Sequence, residues 1–267
     1  MFKKLQTWLG GSPSADTARP LPSVPEGERY YVVGDVHGRD DLFEALRDAI
    51  EEDDASSAPA QTSIILLGDL IDRGPGSARV VALAHQWQLK RPVRCLAGNH
   101  EEMFLESFED SGMLRHFIKH GGRETLLSYG MSRETLRDTT IEELQDAMRD
   151  LVPQVDRDFL QGFEEMIVAG DYVFVHAGID PKLALDEQKR SDLLWIRERF
   201  LRHDEPLDYM VVHGHTISDD VAEGAHRIGI DTGAFRSGVL TALVLEGTSR
   251  RTIQTVETDG EITVRRD

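Results

Sequence analysis

Short apolar runs, each closed by glycine and a polar residue, recur along the chain. Tyr30–Val33, Ile64–Leu67 and Val93–Leu96 have the length of buried strands, and each leads into a loop carrying Gly with Asp, His or Asn. Between the first two, Leu42, Leu46 and Ile50 recur every four residues and predict a helix with one apolar face. The acidic end of that helix, Glu51–Asp54, reads as solvated surface. Pro75-Gly76-Ser77 opens a second helix running to about Lys90. Strand and helix thus alternate, which predicts a parallel sheet and an α/β fold. From Met103 to Glu165 the sequence is charged and helix-forming, with breaks at Gly112, Gly121-Gly122, Gly130 and Pro153. This predicts a helical insertion, a cap between two strands of the core. Trp87 and Phe104, at helical spacings, are expected in the core. Met166–Ala169 and Tyr172–Val175 flank Gly170-Asp171 and predict a hairpin. A short helix follows around Leu193–Arg197, then runs at Tyr209–Val212 and Arg227–Ile230. Strands near Val239–Glu246, Arg250–Glu257 and Ile262–Arg265 finish the chain, the last two joined by an Asp-Gly turn.

The expected organisation is a mobile N-terminal tail over residues 1–28 and one domain over 29–267, with the insertion at about 103–165. Residues Gly10–Glu28 are rich in Pro, Ser, Gly and Ala. Phe2, Leu5 and Leu9 form one apolar stripe, read as a frayed terminus in preference to a membrane or partner anchor.

Composition narrows the function. One cysteine, Cys95, excludes a disulfide framework and a Cys/His zinc pattern, and favours a reducing compartment. Cys95 itself reads as a small buried apolar residue. No apolar run approaches a membrane span, and the basic start lacks the apolar core of a signal peptide, so a cytoplasmic location is expected. A net charge of −18 repels phosphate backbones, so no stable nucleic-acid binding is expected. A phosphorylated substrate is still compatible, because cations and a few arginines set the field inside a cleft.

The richest stretch is Ile64–Gly76. Gly68 ends the strand so that Asp69 emerges at its carboxyl end, where ligands of α/β sheets gather. Asp69, Asp72 and Arg73 lie within five residues of one another, and we expect Asp69 to bridge two hard cations. Five times a strand-like run ends in Asp, His or Asn beside Gly. Such donors without Cys suit Mn, Fe, Zn or Co. Isolated histidines are more often surface or core residues than ligands, and His85, His116, His203 and His226 are read so. For His213 a supporting role at the site and a simple turn are equally open. Asp231 is read as capping a strand-end turn.

The ordered blocks GDVHG (34–38), GDLIDRG (68–74), GNHE (98–101), HAG (176–178) and GHT (214–216) resemble the calcineurin-like metallophosphoesterases, and within them the phosphoprotein-phosphatase branch. The resemblance covers about Tyr30 to Gly233. It implies a four-layer α/β/β/α sandwich with a dinuclear centre at the loop edge. Asp35 and His37 would bind the first metal, Asp69 would bridge, and Asn99, His176 and His215 would complete the second. His120 mimics the family's His-Gly-Gly block, but no strand precedes it, so His176 takes the ligand role. Two divalent ions, manganese first among the choices, would generate a metal-bound hydroxide that attacks phosphorus. His100, charged and oriented by Asp72, fits the general acid. Arg73 would fork onto the phosphate, and Arg197 resembles the family's second phosphate-binding arginine. Nucleases and cyclic-nucleotide phosphodiesterases of the superfamily end in Gly-His-x-His, whereas position 217 here is Ile, so the first metal would have fewer protein ligands, as in the phosphoprotein-phosphatase branch. The implied activity is therefore a serine/threonine-type phosphatase acting on a phosphorylated protein or peptide. A symmetrical bis(5'-nucleosyl)-tetraphosphatase acting on a nucleotide is the alternative, and an inactive metal-binding scaffold a lesser one.

Overall fold

The computed structural model describes residues 20–267; the Phe2, Leu5 and Leu9 stripe lies outside them. The chain runs β1 (Glu28–Val33), α1 (Asp40–Ser56), β2 (Gln61–Leu66), α2 (Ser77–Gln88) and β3 (Val93–Cys95). Six helices follow: α3 (Asn99–Glu106), α4 (Ser111–Phe117), α5 (Arg123–Ser128), α6 (Arg133–Asp138), α7 (Ile141–Leu151) and α8 (Gln154–Gln161). A π-turn, Ile118–Gly122, joins α4 to α5. Next come β4 (Met166–Ala169), β5 (Tyr172–Val175), α9 (Arg190–Trp195), α10 (Glu198–Leu201), β6 (Met210–His213), β7 (Ala222–Glu223) and β8 (Arg227–Gly229). The chain closes with α11 (Ala234–Ser237), β9 (Val239–Glu246), β10 (Ser249–Thr258) and β11 (Glu261–Arg266).

These strands form two sheets, ordered β11-β10-β9-β1-β2-β3 and β4-β5-β6-β8-β7. Strands β1, β2 and β3 are mutually parallel, as are β5, β6 and β8, and the remaining pairings are antiparallel. Period-2 alternation explains the layering. Tyr31, Val33, Ile64 and Leu66 face one apolar core with α1 and α2, while Val32, Ile65 and Leu67 turn to the opposite face. There they meet Tyr172, Phe174, Val212 and Ile228 of the second sheet. The outer face of that sheet, through Val173, Val175 and Val211, packs under Leu193, Leu194 and Phe200. The result is the α/β/β/α sandwich. Strands apolar on both faces are what parallel sheets covered on both sides require.

Helices α3–α8 share the core of α1, α2 and the first sheet. Phe104, Phe108, Phe117, Leu144 and Met148 are all buried in it, and Trp87 with them. The Phe104 ring centroid stands 5.3 Å from Phe108 and 5.4 Å from Phe117. A capping box at Thr140 and Glu143 starts α7, and its apolar stripe of Leu144 and Met148 points inward. Of the segment expected as a tail, residues 1–19 lie outside the described residues. Val24 is buried; its N–H donates to Gly247 O (3.0 Å), and Asp171 N–H donates to Ser23 O (2.9 Å). No helix among the described residues is long and apolar enough to cross a membrane.

Because the helical segment shares its core with the first sheet, Phe104→Ala is expected to cost about 3–5 kcal/mol. It should lower the midpoint of a single urea transition for the whole chain. Two separated transitions, the helical one alone shifted, would contradict a shared core.

Candidate metal centre

The loops after β1, β2, β3, β5, β6 and β8 leave the carboxyl ends of the parallel strands, so six short segments reach one edge of the sandwich. The turns are tight. Among the described residues six non-glycine residues have positive φ, and five belong to these loops: His37 (47°), Asp69 (50°), Asp72 (75°), Arg73 (67°) and His215 (62°). Side chains rarely adopt that conformation except where the surroundings over-determine it, most often at functional sites. Two glycines serve close approach instead. A Cβ on Gly214 would collide with the Asp35 carboxylate, and one on Gly98 with that of Asp69.

Asp69 sits at the centre and is buried. Its Oδ1 accepts from His100 N–H (3.1 Å) and lies 3.4 Å from His176 Nε2. Its Oδ2 lies 3.5 Å from His37 Nε2 and 3.9 Å from His100 Nε2. Burial alone would raise the Asp69 pKa, but His176, His100, His37 and His215 around it outweigh burial and hold it well below the usual carboxylate range. Glu101, also buried, fixes the loop beneath: its carboxylate accepts from the N–H groups of Asp69 (2.8 Å), Leu70 (2.8 Å) and Gly98 (3.0 Å). Burial and the Asp69 charge push Glu101 up to about 7.

Two donor groups share Asp69: His37 with His100 on one side, His176 with His215 on the other. His37 Nδ1 donates to Ile71 O (2.8 Å) and His176 Nδ1 to Leu67 O (2.9 Å), which leaves each Nε2 as a lone pair facing the centre. On the second side Asn99 Oδ1 lies 3.0 Å from His176 Nε2 and 2.8 Å from His215 Nδ1. His215 Nε2 is buried with no hydrogen-bond partner. Burial holds His37 and His176 below the ordinary imidazole value and takes His215 down to about 2, so these rings are neutral donors at neutral pH. Ring nitrogens crowded on a carboxylate and an amide oxygen fit a divalent cation on each side. Asp35 joins from the first loop, accepting from His215 N–H (3.0 Å). Burial, with Asp231 and Asp69 nearby, raises Asp35 well above an ordinary carboxyl. Asp231 caps its turn through Gly233 N–H (2.9 Å), keeps Oδ2 buried without a partner, and is pushed by burial up to about 6.

Beside this set, His100 Nδ1 donates to Asp72 Oδ2 (2.5 Å). Burial would lower His100, but Asp69 and Asp72 together raise it. Asp72 Oδ1 accepts from Thr125 Oγ1 (2.6 Å), and Asp72 N–H donates to Ser77 Oγ (2.9 Å). Arg73 Nη1 donates to His37 Nε2 (2.8 Å) and Nη2 to His100 Nε2 (2.9 Å). Arg197 is exposed; its charge, after burial and nearer groups, helps to lower both His176 and His215. Asp35, His37, Asp69, Asp72, Arg73, Asn99, His100, His176 and His215 thus stand at one edge.

Thr125, Ser77 and Phe235 were not among those residues. Thr125 lies 53 residues from Asp72 in the chain, beyond any local pattern, whereas Ser77 lies five residues from it. Of the histidines read as bland or open, His120 is exposed and bonds the His116 carbonyl. His213 bonds Gly214 O (3.0 Å) and packs on Phe200, with no hydrogen bond to the donor set.

A family model for calcineurin-like phosphoesterases matches residues 28–233. Serine/threonine-protein phosphatase 2 of Escherichia coli (strain K12) is 29% identical, over 79% of this chain and 90% of that protein. The symmetrical bis(5'-nucleosyl)-tetraphosphatase of Acidovorax ebreus (strain TPSY) is 32% identical over 59% of this chain and 46% of its own length. The crystal structure of a candidate diadenosine tetraphosphatase shares the fold, with a TM-score of 0.60 at 19% identity, covering 88% of this chain and 98% of that one. The family match spans every loop that reaches the shared edge, and the chain belongs to the calcineurin-like phosphoesterases, phosphoric ester hydrolases that use divalent metal ions.

Proposed function

We propose that this chain hydrolyses phosphomonoesters with two divalent cations, manganese first, and that phosphoserine or phosphothreonine in proteins or peptides is its substrate. The observation that carries this reading is the Asp72–His100 pair set directly against the Asp69 donor groups. Asp35, His37 and Asp69 would hold one ion; Asp69, Asn99, His176 and His215 would hold the other. When bound, the ions supply a nucleophile at neutral pH and neutralise charge at the phosphoryl group.

The remaining work falls to the side chains. Asp72 keeps a proton on His100 Nδ1 and favours the imidazolium, so Nε2 can protonate the departing ester oxygen. Arg73 occupies that Nε2 through Nη2 (2.9 Å) and must turn towards phosphate oxygens for His100 to act. Arg197, exposed on the same edge, offers a second fork. Thr125 and Ser77 hold Asp72 in its left-handed turn and so fix the direction of the acid.

A second reading, symmetrical cleavage of a dinucleoside tetraphosphate, is supported by the Acidovorax relative and by the order of the loop blocks. Turnover of a phosphoserine peptide against diadenosine tetraphosphate by the manganese-loaded chain separates the two. ADP release with the peptide left intact would favour the nucleotide.

Chelation should abolish turnover and lower the thermal midpoint, and Mn should restore both; a chelated chain with unchanged midpoint and activity would contradict a metal centre. His100→Asn is expected to lower kcat by about 10²–10⁴-fold on phosphoserine, whose alkoxide needs a proton. On p-nitrophenyl phosphate, whose phenolate leaves unaided, the loss should be much smaller. Equal losses on both substrates would remove His100 from the acid role.

A further inference from the structure

The last wall of the site comes from α11, the single turn between β8 and β9. It is tightly held: Arg39 Nη1 donates to Ala234 O (2.9 Å), and Gly233 N–H donates to Asp231 Oδ1 (2.9 Å). Its one large apolar side chain, Phe235, is half-buried. The Phe235 ring meets the His37 imidazole edge-on, with centroids 5.3 Å apart at 85°. Its face carries the Arg73 guanidinium, whose central carbon stands 4.8 Å from the ring centroid.

Arg73 forms no carboxylate ion pair among the described residues; its terminal nitrogens donate to the two ring nitrogens His37 Nε2 and His100 Nε2. Both nitrogens are claimed by the proposed reaction, one as a metal donor and the other as the acid. A guanidinium serving a phosphoryl group therefore has to give up both hydrogen bonds. The aromatic face is the contact that survives. It attracts the cation without consuming an N–H donor or neutralising charge, whereas a carboxylate partner would compete with phosphate for both.

We infer that Phe235 is a positioning residue, holding the Arg73 guanidinium on its ring so that the N–H fork faces a tetrahedral anion at the metal centre. The inference rests on the phosphoesterase reading above. Phe235 touches neither substrate nor metal in this role; it acts through Arg73.

The test uses the full manganese-loaded chain and p-nitrophenyl phosphate, with inorganic phosphate as competing anion. Phe235→Leu, which keeps apolar bulk and loses the ring, should raise KM and the phosphate inhibition constant by about 3- to 30-fold, the range of a partly desolvated cation–π contact. The value of kcat should fall far less. Phe235→Tyr should restore both constants. In an Arg73→Ala background, Phe235→Leu should add nothing, the signature of two residues acting as one unit. Thermal midpoints accompany each variant; where Phe235→Leu melts early, Phe235→Met takes its place. Independent effects of the two residues, failure of Tyr to rescue, or unchanged KM in the ring-less variants would each overturn the inference. A wild-type chain that releases no nitrophenolate overturns the parent reading instead, and this inference with it.

Discussion

A single buried carboxylate, that of Glu101, holds the crossing of the second and third loops. It accepts the N–H groups of Asp69, Leu70 and Gly98, and those three amides have no backbone ladder to join at that point. An orphaned amide at this depth costs about 1–3 kcal/mol, so three would be enough to spring the turn. With the clamp in place Asp69 is held at a φ of 50°, and its carboxylate meets four imidazoles delivered by other segments. The surrounding imidazoles converge on that one aspartate, and its own position comes from Glu101.

Charge is distributed by the same logic. The chain carries 48 acidic and 30 basic side chains, yet two arginines stand at its metal-donor edge. Most of the negative charge sits outside the donor set and acts only diffusely. Asp35 and Asp231 are different: each is buried near the other, and each is held above an ordinary carboxyl value. Two such groups in one dry pocket are unfavourable as a pair of carboxylates, and a shared proton or a nearby cation relieves them.

The fold was legible where signals are local. The apolar runs of β1, β2 and β5, the Gly170-Asp171 hairpin and the Asp259-Gly260 turn are all where run length and turn chemistry put them. Each loop motif follows a strand because glycine and polar residues mark that boundary. Short β7, two residues long, carries no periodic pattern and was not anticipated. The helical segment read as a cap is helical, but its aromatic residues enter the core of the first sheet, which only tertiary packing reveals. Thr125 and Phe235 were invisible for the same reason: each acts through a partner far along the chain, and nothing in a short window records it.

The donor set is split between the two sheets. Asp35, His37, Asp69 and Asn99 follow strands of the first, and His176 and His215 follow strands of the second. The apolar layer between the sheets, about 10 Å thick, therefore sets how the imidazoles of the second sheet meet the carboxylates and amide of the first. Repacking that layer would shift those imidazoles without touching a polar atom. For the same reason the donor set is indivisible: a fragment ending before Met166 would keep the Asp72–His100 pair, yet lack the imidazoles of the second side.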